Sequence, residues 1–255
     1  MPRSVIVTGA SSGIGFACVR WFAEQGCQIV ACDHDPVEES ESYFAERGIA
    51  SLRCDVRKES DVEKVVDAAV RRSNCLDVLV NSAGVGATGE ITQIDEGTWD
   101  RCLDTNLKGA FLFCKHAIRA MKPRGGVIVN IASNAGILPR AHDPVYCVSK
   151  AGLVMLTKAL ALSHAKDRIR VNAVCPGPVE GTRMMDNDIA AALDPDAYRR
   201  SLVDASPMSS ALGRMASANE IAESVAYLAS DSAILVTGTL LAIDGGKSLG
   251  VPPKT

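Results

Sequence analysis

The feature that most constrains this chain is a rhythm. Short apolar runs alternate with segments of helical spacing along nearly all of its 255 residues. "SVIVTG", "CQIVACD", "IASLRCDV", "LDVLVNSAG", "GGVIVNIAS", "RIRVNAVCPG" and "GTLLAIDGG" read as seven strands. Between them lie helical stretches such as "GIGFACVRWFAEQG", "KESDVEKVVDAAVRRS" and the long "TWDRCLDTNLKGAFLFCKHAIRAMK". The strand runs are apolar almost without interruption, the pattern of strands covered on both faces. Strand–helix alternation then calls for right-handed crossovers between parallel neighbours. The sequence predicts an α/β fold: a doubly wound parallel sheet of about seven strands with helices on both faces. No repeat, low-complexity run or linker divides the chain, so residues 1–255 read as a single domain.

The turn after the first strand gives that fold a ligand. Residues 8–15 are "TGASSGIG", with Gly9, Gly13 and Gly15 between strand and helix. Glycines there let a pyrophosphate approach backbone N–H groups at the positive end of a helix. The spacing is not the usual GxGxxG, so the turn by itself leaves S-adenosylmethionine, a flavin or a plain tight turn open. Asp33 narrows the choice. It ends the second strand, about 20 residues beyond the turn, where a carboxylate accepts hydrogen bonds from ribose hydroxyls and repels a 2′-phosphate. Arg20 is the one basic residue between Thr8 and Asp33. The combination favours NAD over NADP in a Rossmann-type site.

A second motif supplies chemistry. Tyr146 and Lys150 in "YCVSK" are four residues apart on a helix, and such neighbours have Cβ atoms about 5–6 Å apart. A phenol with a pKa near 10 must fall by about 3 units, or about 4 kcal/mol, to exchange protons near neutral pH. A nearby ammonium favours the phenolate. Ser133, at the end of the fifth strand, is placed to hydrogen-bond a substrate oxygen. A Tyr–Lys pair alone is ordinary surface decoration; its setting is what gives it weight.

Taken together, "TGASSGIG", "NSAG" at 81–84, Ser133, "YCVSK" at 146–150, "PGPV" at 176–179 and "IDGG" at 243–246 resemble the short-chain dehydrogenase/reductase family over nearly the whole chain. One departure is Ser82, where the family usually has a second Asn. The resemblance implies that Gly9, Ser12, Gly13, Ile14 and Gly15 line the pyrophosphate and nearby ribose, and that Asp33 takes the adenosine ribose. It implies that Asp55 and Val56 flank the adenine, and that Asn81, Ala83 and Gly84 shape the floor under the cofactor. Val179 and Thr182 would fix the nicotinamide carboxamide, with Tyr146 and Lys150 also touching the cofactor. Ser133, Tyr146 and Lys150 would form the reaction centre, with Asn106 of "DTNLKG" holding a water that links Lys150 to solvent. The implied activity is NAD-dependent hydride transfer between a secondary alcohol (a sugar, polyol or other hydroxylated metabolite) and its ketone, with no metal. Alternatives are a 3-oxoacyl-[acyl-carrier-protein] reductase, against which Asp33 argues because NADPH would be its usual cofactor, and a non-catalytic NAD sensor or scaffold.

The remaining expectations are coarser. The helix continuing as "AGLVMLTKALALSHA" is apolar beyond one face, as is "GAFLFCKHAIRAM", and a second cover from other subunits would explain both; the family commonly forms tetramers through these helices, so a homotetramer or homodimer is expected. Residues 180–215 read as an irregular substrate-binding lid. Arg140, His142 and Arg183 are candidates to meet an anionic or polyol substrate, although solvated side chains are the ordinary reading. The formal charge of −3 offers no footprint for nucleic acid or an anionic membrane. The sequence is read as having no apolar run that approaches the roughly 18–20 residues of a bilayer span, and the N-terminus lacks a signal-peptide layout. The nine cysteines form no CxxC pair, so reduced thiols in a cytoplasmic protein are expected. Cys147 and Cys175 lie beside motifs, where alkylation would inhibit without either being catalytic.

Overall fold

The structure, a computed structural model, describes residues 2–250. Seven strands form one parallel sheet: β1 (Ser4–Thr8), β2 (Gln28–Asp33), β3 (Ala50–Arg53), β4 (Val78–Asn81), β5 (Gly126–Ile131), β6 (Ile169–Pro176) and, last in the chain, β9 (Leu240–Ile243). Two further two-residue strands, β7 (Val179–Glu180) and β8 (Ala216–Ser217), pair with each other. The sheet order is β3-β2-β1-β4-β5-β6-β9. The winding reverses between β1 and β4, and their C-terminal ends open a crevice there, the usual ligand site of open α/β sheets.

Helices cover both faces, as the apolar strands require. Val5 and Val7 of β1 face the core under α1 (Gly13–Glu24), α2 (Glu38–Glu46) and α10 (Ala218–Ala229), while Ile6 faces the opposite core. That second core packs under α3 (Glu59–Ser73), α5 (Gly109–Met121) and α6 (Pro144–His164). The start of α10 is fixed by a capping box: Ser217 Oγ accepts from Glu220 N, and Glu220 accepts from Ser217 N at 2.7 Å.

Three sequence expectations need correction. The long helix after Glu96 is three pieces: α4 (Glu96–Leu103), a π turn at Asp104–Lys108, and α5. The stretch 180–215 is not irregular. It carries α7 (Arg183–Ala190), α8 (Pro195–Asp204) and α9 (Pro207–Leu212), and the β7–β8 pair closes its two ends into a stem. Thr182 and Asp194 cap α7 and α8 with their side chains, and Pro195 and Pro207 stand at first helical positions. Finally, α6 and the turn that ends it run from Pro144 to Asp167 with a mean hydropathy of 1.5 over their most apolar window, long and apolar enough to cross a bilayer. The sequence reading missed this because Lys150 and Lys158 interrupt the run without lowering its average below that of a span. One side of α6 packs on β6 and the sheet; Val148, Met155 and Leu162, seven residues apart, stay exposed on the other.

Arg170 of β6 is buried and ties the sheet to the end of α10. It donates to Leu228 O at 2.8 Å, Ser230 O at 3.1 Å and Val236 O at 3.2 Å. A cation at a helix C-terminus satisfies carbonyls that the helix leaves free. Replacing Arg170 with Met would remove three charge-assisted hydrogen bonds, although Val236 O keeps Asn172 Nδ2 and Ser230 O keeps Ala233 N as donors. The substitution should cost roughly 2–4 kcal/mol, read as a lowered midpoint in urea unfolding; a change under half a kcal/mol would mean that water replaces the guanidinium.

Candidate active site

The glycine turn is built by steric necessity. Gly9 and Gly13 have φ of +62° and +51°, a region L side chains avoid. A Cβ on Gly15 would lie 2.0 Å from Gly9 O, and one on Gly9 2.8 Å from Ala83 Cα. The turn is thus clamped against the loop after β4. Thr8, which the sequence reading passed over, holds that loop from below: its Oγ1 accepts from Ser82 N and Ala83 N, each at 3.0 Å. What the structure uses at Ser82 is therefore its backbone N–H.

These elements border a cleft of about 790 Å³. It is lined by Gly9, Ser12, Gly13, Ile14, Asp33, Asp55, Val56, Ala83, Gly84, Ser133, Tyr146, Lys150, Val179 and Thr182, along with Arg57, Arg140 and residues of α7. At one end, Asp33 is oriented by its own backbone surroundings. Its Oδ2 accepts from Ser11 N at 3.0 Å and its Oδ1 from Asp35 N at 3.1 Å. Asp55 is differently employed. It forms a bidentate pair with Arg57 at 2.8 and 2.9 Å, which holds its carboxyl down at about 2. Between Thr8 and Asp33 the sequence offers only Arg20, on α1; the loop after β3 supplies Arg57 to the cleft.

Asn81 does not line the cleft. Its Nδ2 donates to Asn130 Oδ1 at 2.8 Å, and Asn130 Nδ2 donates to Thr157 Oγ1 at 2.9 Å. This buried chain joins β4, β5 and α6 and leaves Asn81 Oδ1 without a partner. Asn81, expected in the cleft floor, is turned into the core, whereas Ala83 and Gly84 of the loop that follows it line the cleft.

Ser133, Tyr146 and Lys150 meet in the other half of the cleft. Ser133 opens a short turn, Asn134–Gly136, and its Oγ accepts from Ala135 N at 3.1 Å. That turn lies directly on α6: a Cβ on Gly136 would sit 2.8 Å from the Lys150 carbonyl. Lys150 is 4% exposed, and its Nζ donates to Ile131 O at 3.0 Å and lies 5.7 Å from the Tyr146 ring centre. Burial pulls its ammonium down to about 8. Burial also raises the Tyr146 phenol above its ordinary value, while the Ser133 hydroxyl and the Arg140 guanidinium pull it back. The sequence reading assigned that pull to Lys150; in this cleft the Arg140 guanidinium pulls the same way, and the Asp143 carboxylate opposes it.

Asn106 sits in the π turn, its amide already engaged. Oδ1 accepts from Val85 N at 2.8 Å; Nδ2 donates to Val85 O at 2.9 Å and to Ser149 Oγ at 3.0 Å. Ser149 Oγ in turn donates to Tyr146 O at 2.8 Å. The Asn106 side chain is thus a brace between the Val85 loop and α6. Glycine at 84 keeps open the space beside it, since a Cβ there would come within 3.3 Å of Asn106 Oδ1 and 3.4 Å of Lys150 Nζ. Thr182 lines the cleft beside the glycine turn: its Oγ1 donates to Val179 O at 3.0 Å, and its methyl covers Gly13. Arg140 and Arg183 line the cleft, whereas His142 is exposed outside it. Cys175 is fully buried with its thiol pushed up to about 11, which makes it inert; Cys147 is partly exposed. No metal was expected; folding brings His116 beside Glu59 and Glu63. Lys115 donates to the same Glu59 oxygen at 2.6 Å and already supplies positive charge there.

A family model described as enoyl-(acyl carrier protein) reductase matches residues 9–248. Cis-4-hydroxycyclohexanecarboxylate dehydrogenase of Sinomonas cyclohexanicum is 37% identical, over 96% of this chain and 96% of its own. The NAD-dependent glycerol dehydrogenase of Listeria innocua is 34% identical, over 97% and 94%. Among solved structures, the aldohexose dehydrogenase of Thermoplasma acidophilum superposes with a TM-score of 0.89 at 32% identity, covering 100% of this chain and 97% of that one. The chain belongs to the short-chain dehydrogenase/reductase family. It is an oxidoreductase whose fold serves a nicotinamide cofactor.

The buried lysine has a thermodynamic signature. Its folded pKa of about 8 lies below the ordinary 10.5, so below pH 8 the folded chain carries a poorly solvated ammonium. That cost fades as pH rises from 8 to 10.5, where the unfolded chain also loses the proton. Lys150→Met should therefore stabilise the protein at pH 7 by about 1–3 kcal/mol, and the gain should shrink toward pH 10. Paired thermal melts at the two pH values check this; a variant less stable at pH 7 would contradict it.

Proposed function

We propose that the protein is an NAD-dependent dehydrogenase that interconverts a secondary alcohol, a sugar, polyol or other hydroxylated metabolite, with its ketone. The observation that carries this reading is the convergence of Ser133, Tyr146 and Lys150 in one cleft with the glycine turn and Asp33. The cleft suits a dinucleotide: backbone glycines approach one wall, and a carboxylate with fixed orientation stands about where an adenosine ribose would lie. When bound, the nicotinamide accepts or returns the hydride.

The chain's own residues do the rest. Tyr146 takes the hydroxyl proton of the alcohol in oxidation and returns it in reduction. Ser133 donates to the substrate oxygen as charge changes there. Lys150 holds the nicotinamide ribose and, with a value near neutrality, passes protons from the phenol outward. Asn106 fixes the Val85 loop and Ser149 around this path. Gly9, Ser12, Gly13, Ile14 and Gly15 take the pyrophosphate; Asp33, Asp55 and Val56 the adenosine; Ala83 and Gly84 the floor; Val179 and Thr182 the carboxamide. The α7–α9 stem is the substrate lid.

The match to a family described as enoyl-(acyl carrier protein) reductase favours a second reading, reduction of an acyl-carrier-protein substrate. Such enzymes usually take NADPH, and Asp33 disfavours the 2′-phosphate. The exposed row of Val148, Met155 and Leu162 with Phe111 supports assembly as a homotetramer or homodimer through α5 and α6. The odd number of cysteines and their unpaired state support a cytoplasmic protein.

Tyr146→Phe should lower turnover roughly 10²–10⁴-fold in a panel of alcohols followed by NADH absorbance, with NAD binding retained; near-normal activity would remove Tyr146 from the mechanism. Asp33→Ala should narrow the preference for NAD over NADP in kcat/KM. An unchanged ratio would mean that the ribose is read elsewhere.

A further inference from the structure

The walls around Tyr146 carry more charge than the reaction centre itself requires. Arg140 lies between the Asn134–Gly136 turn and α6. It donates to Asn134 Oδ1 at 2.6 Å and reaches Asp143 Oδ2 at 3.5 Å. Asn134 is 1% exposed and follows Ser133 directly. Asp143 is the N-cap residue of α6, three residues before Tyr146. Both anchors of the guanidinium thus belong to the two elements that hold the reacting hydroxyls. Arg140 itself lines the same cleft as Tyr146.

Other charged and titratable groups face this corner from every side. Asp188 of α7 and Tyr198 of α8 feel both Arg140 and Asp143. Lys247 near the C-terminus feels Arg140. Cys102 of α4 lies near both Tyr146 and Lys150, and Cys175 of β6 near Lys150. The two cations differ in kind. An arginine keeps its charge at any pH the fold survives, whereas Lys150 loses its proton near 8.

We propose that Arg140, fixed by Asn134 and Asp143, is a positioning residue: the permanent cation that stabilises the Tyr146 phenolate. The inference rests on the reading of Tyr146 as the proton-exchanging group. It also makes Asp143 the opposing charge, which holds the guanidinium in place while disfavouring a second anion nearby. Ionisation here moves one proton from the phenol to solvent and needs no other reactant.

The test is a difference-absorbance titration of the full chain, which needs no turnover. In each background, the same protein carrying Tyr146→Phe is subtracted, which isolates this phenol among the four tyrosines. Arg140→Gln should raise the midpoint by roughly half to one pH unit, the size expected for a partly solvated opposite charge. Arg140→Lys should restore most of it, and Asp143→Asn should shift it the other way. An unmoved midpoint in Arg140→Gln, a Lys variant that behaves like Gln, or shifts of the same sign in Arg140→Gln and Asp143→Asn would overturn the proposal. Should Arg140→Gln not fold, Asp143→Asn decides: a downward shift supports the proposal, and no shift or an upward one overturns it. Failure to oxidise any alcohol would count against the dehydrogenase reading and leave this measurement standing.

Discussion

A lysine ammonium taken out of water is the constraint around which this site is arranged. Lys150 meets a protein acceptor at Ile131 O, the last residue of β5. A buried cation with so few partners is costly and loses its proton early. That cost is tolerable only if the position of the ammonium is fixed from all sides. Gly136 lets the turn after β5 lie against the Lys150 backbone, and Gly84 leaves room at its tip. The helix then presents Tyr146 one turn earlier, on the same face and beside Ser133. A sheet edge, a helix register and two absent side chains thus determine where protons can be exchanged.

The scaffold behind the site is polar where one would expect only apolar packing. Asn81 and Asn130 are partners in register across β4 and β5, and Thr157 extends their hydrogen bonds into α6. Such a chain disfavours a slip of α6 over the sheet, because any shift would leave buried amides unpaired. Thr8 performs a related service one strand away, where a hydroxyl takes the two backbone donors of the Ser82–Ala83 loop. The crevice at the switch point keeps its shape through these internal bonds, and the residues that line it are freed for ligands.

The sequence made the fold legible because parallel strands buried on both faces leave a strong local trace, and because glycines at strand ends have few alternative uses. Ser133, Tyr146 and Lys150 could be picked out for the same reason: a polar group inside an apolar run needs explaining. What could not be read was the choice of partner. Asp33 and Asp55 are both carboxylates following strands, yet one takes backbone N–H groups and the other a guanidinium two residues on. Asn81 turns inward because Asn130, 49 residues later, stands opposite it. Arg140 was one candidate among three, and only the fold separates it from the exposed His142. The helices of the 180–215 stretch escaped notice because each is short and largely exposed, so periodicity has little apolar surface to reveal it.

The π turn at Asp104–Lys108 has a consequence for how this chain tolerates change in length. Five residues there do the winding that four would do in a regular helix. Excising one of them would leave a straighter rod with better local bonding. Because four regular residues wind as far as these five, Phe113, Ala117 and Met121 would stay in phase with the sheet, while the widened turn that holds Asn106 against Val85 would be lost. The surplus residue behaves as a spare link: it adds length to the chain and widens one turn, without shifting the phase of the helix beyond it.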